Sequence, residues 1–397
     1  MKDLRKSGRK LLWVALYVLL IFAVLEVTTR IYITHLAGQR TFLKYASLGQ
    51  LQKRPAYAKS KYAPHRYLGH YLTPDYVKGD NKHNSLGYRS DEIALPKPTG
   101  QFRIVCMGGS TTYTTEVEDY RLSYPSLLER ELKSRGYGHV TVINAGVGAW
   151  TSWESLINFE LRVLDLEPDM IIVYHGVNDI LSRFVWPPEA YRGDNSGAIA
   201  PVKMSMPSIF EYSAFFRYWM IRSGLVKPHS SMDRQLAAPP GTYYAGEFYG
   251  QKVKHVYPDG VFARTSAKEM LAANRPKYFR RNIEHIVLIA SHRGMKTILA
   301  TFAHSPLFED QPIVVSEEYT AAYAEMNDTL RSIALETGVH LFDFAAAFPV
   351  DKRYYTDGIH VNADGAELKA SLFAEYIVDN ALIPPSRVAH VEAPESK

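Results

Sequence analysis

Ser110, Asp357 and His360 are residues whose types, taken together, can run acyl transfer. A serine hydroxyl attacks a carbonyl when a base takes its proton, and an imidazole does so well when a carboxylate fixes its tautomer. Ser110 follows Gly108-Gly109, at the end of the apolar run Arg103–Met107. Glycines there permit a tight turn and close approach to the hydroxyl. Asp357 and His360 lie three apart in Asp357-Gly358-Ile359-His360. That spacing lets the carboxylate hold one ring nitrogen while the other faces the serine. Alone, a glycine-flanked serine or an Asp and His in one turn is commonplace, so the expectation rests on their joint occurrence.

Two further segments lie between them. Gly176-Val177-Asn178-Asp179 offers the Asn178 amide as a donor to a tetrahedral oxyanion, although an isolated asparagine there is equally a turn residue. Asp179 reads as structural. Asn144-Ala145-Gly146-Val147-Gly148-Ala149 offers backbone N–H groups, and the N–H of Ser110 itself is a third donor. Thr112 stands where the Gly-x-Ser-x-Gly elbow of α/β-hydrolases needs its last glycine, so the pattern is a different one. The 14 histidines are mostly scattered, with no His-Glu-x-x-His pair, and neither metal nor cofactor is expected. Cys106 is the only cysteine, which excludes an intramolecular disulfide and a cysteine-rich metal site.

The elements that must position these residues alternate. Strand-like runs at Arg103–Met107, Val140–Asn144, Met170–His175, Thr297–Ala303 and His340–Phe344 are interleaved with helical spacing over Tyr124–Arg135, Tyr278–Arg293, Glu317–Thr337 and Ala363–Ile377. Thr151-Ser152-Trp153-Glu154 has the form of a capping box opening another helix. This pattern predicts an α/β three-layer sandwich, with a five-stranded parallel sheet covered on both faces. Ligands on such sheets sit at the carboxyl ends of the strands, where the first three segments fall.

These ordered segments resemble the SGNH (GDSL-type) hydrolase superfamily over about residues 100–380. Asn84-Ser85-Leu86-Gly87-Tyr88-Arg89 is similar to a segment of its membrane-anchored bacterial members. The resemblance implies a flavodoxin-like SGNH hydrolase fold, with Ser110 as nucleophile, His360 as base and Asp357 as its orienter. It implies an oxyanion hole from Ser110, Asn178 and a backbone N–H in the second segment. There the family's glycine aligns best with Ala149, with Gly148 one residue earlier, so both positions are carried. Gly109 stands where the family name expects Asp, a departure in the hydrogen bonding of the nucleophile loop.

At 397 residues the chain suits one large domain with appendages. The net charge of +5 is concentrated at the start, where Lys2, Arg5, Lys6, Arg9 and Lys10 face only Asp3. The remainder is near neutral, so no nucleic-acid partner is expected. After this basic segment (1–10), the apolar stretch Leu11–Ile33 spans about 34 Å as helix, enough to cross a bilayer. Glu26 and Arg30 share a face and pair near its outer end. A cleaved secretory signal has a similar form, but no small-x-small site follows, since His35 precedes Ala37 by two. The expectation is a single-pass inner (cytoplasmic) membrane protein anchored in the lipid bilayer, N-terminus inside and catalytic domain periplasmic or otherwise extracytoplasmic. A stalk and loop-rich lead-in (34–100), the hydrolase domain (101–383) and a flexible tail (384–397) follow.

An insertion at about 181–275 interrupts the domain. Its Ser208–Leu225 stretch carries Phe210, Tyr212, Phe215, Phe216, Trp219 and Met220, and Tyr243, Tyr244, Phe248, Tyr249 and Tyr257 follow. Such a stripe either packs onto the core or forms a cap that stacks on sugars or touches a membrane. The function expected is an anchored serine esterase acting on an acyl ester, with an O-acetyl group on carbohydrate preferred by analogy with the family. Two rivals are an O-acyltransferase modifying an envelope or secreted polysaccharide, and a non-catalytic glycan-binding or assembly subunit.

Overall fold

The structure is a computed structural model. It describes residues 2–47, 49–50, 61–65, 67–194, 209–226, 228, 242–248, 251 and 261–385. The expected flexible tail lies almost wholly outside these residues, as do Tyr249 and Tyr257. The chain falls into two compact units, one of residues 1–60 and 201–237, the other of 61–200 and 238–397.

The larger unit is built on five strands: β1 (Phe102–Gly108), β2 (Val140–Gly146), β3 (Met170–Tyr174), β4 (Lys296–Ala300) and β5 (His340–Phe342). All pairings are parallel, in the order β2-β1-β3-β4-β5. β1 and β3 are buried along their whole length, as strands covered on both faces must be. Helices Tyr124–Ser134 and Ala363–Asp379 pack together as one layer. Ser152–Asn158, Lys277–His292 and Glu317–Thr337 pack successively on one another as the other. The strand β4 stops at Ala300, three residues before the apolar run ends, because Ala300 is the last residue paired and the backbone N–H of Phe302 instead bonds to the Asn327 side chain.

The strand order reverses direction between β1 and β3, which makes their carboxyl ends the switch point of an open sheet. The register aligns those ends, with Gly108 opposite both Gly146 and Tyr174. Three sequence segments far apart in the chain are thereby brought to one edge. Thr151 and Glu154 form the capping box at the next helix, where the Glu154 carboxylate accepts from the Thr151 N–H at 2.9 Å.

The smaller unit contains the helix Lys2–Ile31, continued by a wider turn over Tyr32–Leu36. Gly8–Leu36 is long and apolar enough to cross a membrane. A short helix, Gln39–Tyr45, and the insertion helix Ala214–Arg222 share its small core of Ile33, Phe42, Tyr45, Ala46, Ala214 and Ile221. The first aromatic stripe of the insertion thus lies outside the sheet unit. The second has a different fate, since Phe248 is in the main core and Tyr244 packs with Val185 and Tyr191.

Candidate active site

Ser110 opens a one-turn helix, Ser110–Tyr113, directly beyond β1. The Ser110 Oγ lies 2.7 Å from His360 Nε2, and His360 Nδ1 lies 2.7 Å from Asp357 Oδ2. The other Asp357 oxygen accepts backbone N–H bonds from Ile359 at 3.0 Å and His360 at 2.8 Å. This turn fixes the carboxylate against its own histidine. It needs the left-handed conformation at Gly358 (φ +89), and the Gly358 carbonyl accepts from the Ser305 N–H at 2.7 Å. With Nδ1–H donating to Asp357, Nε2 is left as the acceptor facing the serine. Burial alone raises the Asp357 carboxyl, but the hydrogen bond and charge of His360 and the two backbone donors hold it below the usual carboxylate range. All three residues stay partly exposed, as a site open to substrate requires.

Asn178 sits in the helix Val177–Leu181 just after β3. Its Nδ2 donates to the Trp150 carbonyl at 2.9 Å, which orients the amide and leaves a second N–H. A Cβ at Gly109 would lie 2.7 Å from that Nδ2. Gly109 has φ −87, so glycine is there for space and not for backbone conformation. The residue expected to be Asp is therefore glycine where the Asn178 amide takes up the room.

The two candidates in the second segment differ. Gly148 is buried, a Cβ there would meet the Tyr62 hydroxyl at 2.4 Å, and its carbonyl accepts from His70 Nε2 at 2.8 Å. Ala149 is exposed and lies in the left-handed region at φ 65, a conformation that favours glycine.

Among the supporting residues, Tyr62, His70, His175 and Lys369 were not singled out from sequence. Tyr62 and His70 belong to a hairpin, Tyr62–His65 with Gly69–Leu72, and the Trp150 indole N–H donates to the His70 carbonyl at 3.0 Å. Arg89, the last residue of the recognised Asn84–Arg89 segment, is fully buried. Its guanidinium donates to the carbonyls of Tyr113, Thr114, Val117 and Glu118, so it secures the chain leaving the Ser110 turn. Lys369 is also fully buried, with its Nζ 3.6 Å from the Tyr174 ring centroid and 3.4 Å from the Thr111 carbonyl. Burial pushes its ammonium well down. Asp179 accepts from the Ser152 N–H and hydroxyl, at 3.0 and 2.6 Å, and His175 Nδ1 is 3.5 Å away. Burial pushes the Asp179 carboxyl up to about 7 and the His175 imidazole down to about 3.

Among the described residues, no group of three or more His, Cys, Asp or Glu side chains converges as a metal site. The fold and this arrangement define a hydrolase whose serine, imidazole and carboxylate stand at the switch point of a flavodoxin-like sheet. Residues 106–368 match the GDSL-like lipase/acylhydrolase family, and the chain belongs to that family of ester hydrolases. No curated protein matches the chain. Among solved structures it is similar to a GDSL-like lipase from Bacteroides thetaiotaomicron, at 14% identity and TM-score 0.41, covering 72% of this chain and 93% of the other. A lipase/acylhydrolase from Enterococcus faecalis is 16% identical, with TM-score 0.40 and coverage of 70% and 97%. A mutant of an acetyl-xylooligosaccharide esterase from Geobacillus stearothermophilus is 13% identical, with TM-score 0.40 and coverage of 70% and 94%.

Proposed function

We propose that this protein is a membrane-anchored serine esterase that removes a short acyl group from a carbohydrate ester outside the cytoplasm. The observation that carries the reaction is the unbroken hydrogen-bonded chain from Ser110 through His360 to Asp357. Ser110 Oγ attacks the ester carbonyl as His360 Nε2 takes its proton, and Asp357 stabilises the imidazolium that forms. The oxyanion is met by the N–H of Ser110, the free N–H of Asn178 and the backbone N–H of Ala149, with Gly148 supporting that turn. Collapse of the tetrahedral intermediate expels the alcohol, which takes the proton back from His360. Water, activated by the same imidazole, then releases the acid and restores the serine.

The anchoring part of the reading is supported by the exposed apolar face of Gly8–Leu36 and the basic residues before it. The positive flank holds the N-terminus in the cytoplasm and the larger unit on the other side. A hydrophilic carbohydrate ester is the kind of substrate such a unit meets away from the bilayer.

The test is fluorophosphonate labelling of the full chain beside Ser110→Ala, followed by product analysis on acylated glycans. Labelling of wild type only, with free acid released in water, is the expected result. Equal labelling of both proteins removes Ser110 as nucleophile. Acyl loss that occurs only when an acceptor glycan is present, with new ester on that glycan, replaces hydrolysis by transfer.

A further inference from the structure

The insertion helix Ala214–Arg222 has its sidedness reversed for a helix in water. Its central cation, Arg217, is 3% exposed and is tied inward to the carbonyls of Tyr45 and Glu211 and to Gln50 Oε1. Its outward surface carries exposed aromatic rings, with Arg222 exposed beside them in the last turn. Trp219 is 61% exposed, Phe216 43%, and Tyr212 in the preceding turn 87%. Phe216 and Trp219 are three apart, so they share one face. The opposite face, through Ala214 and Ile221, is already buried against Phe42, Tyr45 and Ile33. The helix is therefore apolar on two sides, and among the described residues the second side is left largely exposed.

The depth of this helix is set by its attachment to the apolar N-terminal helix. Glu26, the first charged residue after the uncharged stretch Leu11–Leu25, caps it from outside. Its carboxylate accepts from the Ser213 hydroxyl at 2.8 Å, the Ala214 N–H at 2.9 Å and the Phe215 N–H at 3.0 Å. Arg30 bonds both to Glu26 and to the Tyr212 carbonyl. One turn further into the uncharged stretch, Phe22 meets Phe215 and Phe216 with ring centroids 6.3 and 5.4 Å apart. The aromatic face is thus continuous with the lipid-facing surface of the span, at the level where its hydrocarbon section ends. Trp and Tyr favour that level of a bilayer, where a ring is buried and its polar edge stays wet.

We infer that the turn and helix of residues 209–226 form an interfacial element that lays Tyr212, Phe216 and Trp219 into the outer boundary of the same bilayer that the N-terminal helix crosses. The occupant of this exposed face is phospholipid. This inference rests on the anchoring reading, and its test separates the two.

Full-length protein with Phe216→Cys or Trp219→Cys, the native Cys106 being buried, is labelled with a small environment-sensitive fluorophore. It is reconstituted in phosphatidylethanolamine–phosphatidylglycerol vesicles containing a lipid with a nitroxide high on its acyl chain. Leu19→Cys reports the span and Leu335→Cys, exposed on the larger unit, reports water. The expected result is loss of fluorescence to the nitroxide lipid at 216, 219 and 19, with iodide in the buffer quenching only 335. Iodide quenching at 216 and 219 while 19 still responds to lipid overturns the interfacial helix and keeps the anchor. Protection of 216 and 219 from both quenchers means protein covers the face, a second copy or a partner, and overturns it too. Failure of the lipid to quench 19 overturns the anchor and this inference together. Thermal unfolding of each labelled variant beside wild type checks that its fold is intact, and the two cysteine positions are independent trials.

Discussion

The carboxylate of Asp357 is engaged on both oxygens, one by the imidazole and one by two backbone N–H groups. Asp357→Asn keeps a side chain of the same shape but can present an amide N–H to Nδ1. The ring is then held in the tautomer that carries its proton on Nε2, facing Ser110, and cannot accept from it. Turnover should fall by about four orders of magnitude with the thermal midpoint little changed. Steady-state kinetics with a chromogenic acetyl ester, beside a melting curve, checks this, and near-normal turnover would remove Asp357 from the role given to it. The proximity of these two residues was legible from sequence because three residues in one turn leave little freedom. The relation of Gly109 to Asn178 was not. It depends on β1 and β3 ending side by side, which places an amide where a Cβ would go across sixty-nine residues of chain. Likewise the left-handed backbone at Ala149 was not legible, since no residue type announces a left-handed alanine.

At the scale of elements, the polar cluster between the helices Ser152–Asn158 and Val177–Leu181 joins the second segment to the third. Asp179 accepts from the first turn of one helix while its neighbour Asn178 reaches the Trp150 carbonyl just before it. Asn282, from Lys277–His292, donates to the Ser152 hydroxyl at 3.0 Å and closes the cluster. Its two titratable members respond to pH in opposite senses. Asp179 is raised by burial from 3.8 to about 7, so its stabilising contribution is complete below 3.8 and is lost as pH rises through 7. His175 is lowered by burial from 6.5 to about 3, so its contribution is complete above 6.5 and is lost as pH falls through 3. In wild type these terms largely offset one another between pH 4 and 6.5. Asp179→Asn removes the first and leaves the second, so stability of the variant should fall more steeply than wild type on acidification across that window. Denaturant midpoints at pH 6.5, 5.5 and 4.5 check it, and parallel curves would mean the two groups do not titrate separately. The strands and long helices were legible from apolar periodicity because burial dictates it. The hairpin Tyr62–Leu72 was not, since its strands are four residues long in a stretch with no period, although Leu68 and Leu72 pack with Val147 and Trp150.

For the whole molecule, the division into two units has a practical outcome. The main hydrophobic cluster is made wholly of residues from the larger unit, while the core of the smaller one needs Ile33 and the Glu26 cap. Deleting residues 1–34 should therefore leave a protein that still reacts with fluorophosphonate at Ser110. It should self-associate unless detergent is present, because Ala214 and Ile221 lose part of their cover beside the already exposed Phe216 and Trp219. Size-exclusion chromatography with and without detergent reads this, and a monodisperse monomer in plain buffer would contradict it. The sequence stripe from Phe210 to Met220 was legible as an aromatic stripe at helical spacing, but what it packs on was not, because its partner is the first helix of the chain. That separation also has a temporal side. Glu26 and Ser213 are 187 positions apart. At about 5–20 residues per second the ribosome needs roughly 10–40 s to deliver the helix that Glu26 caps. Throughout that interval the Glu26 carboxylate must stay hydrated, with Arg30, four residues on, as its ion-pair partner.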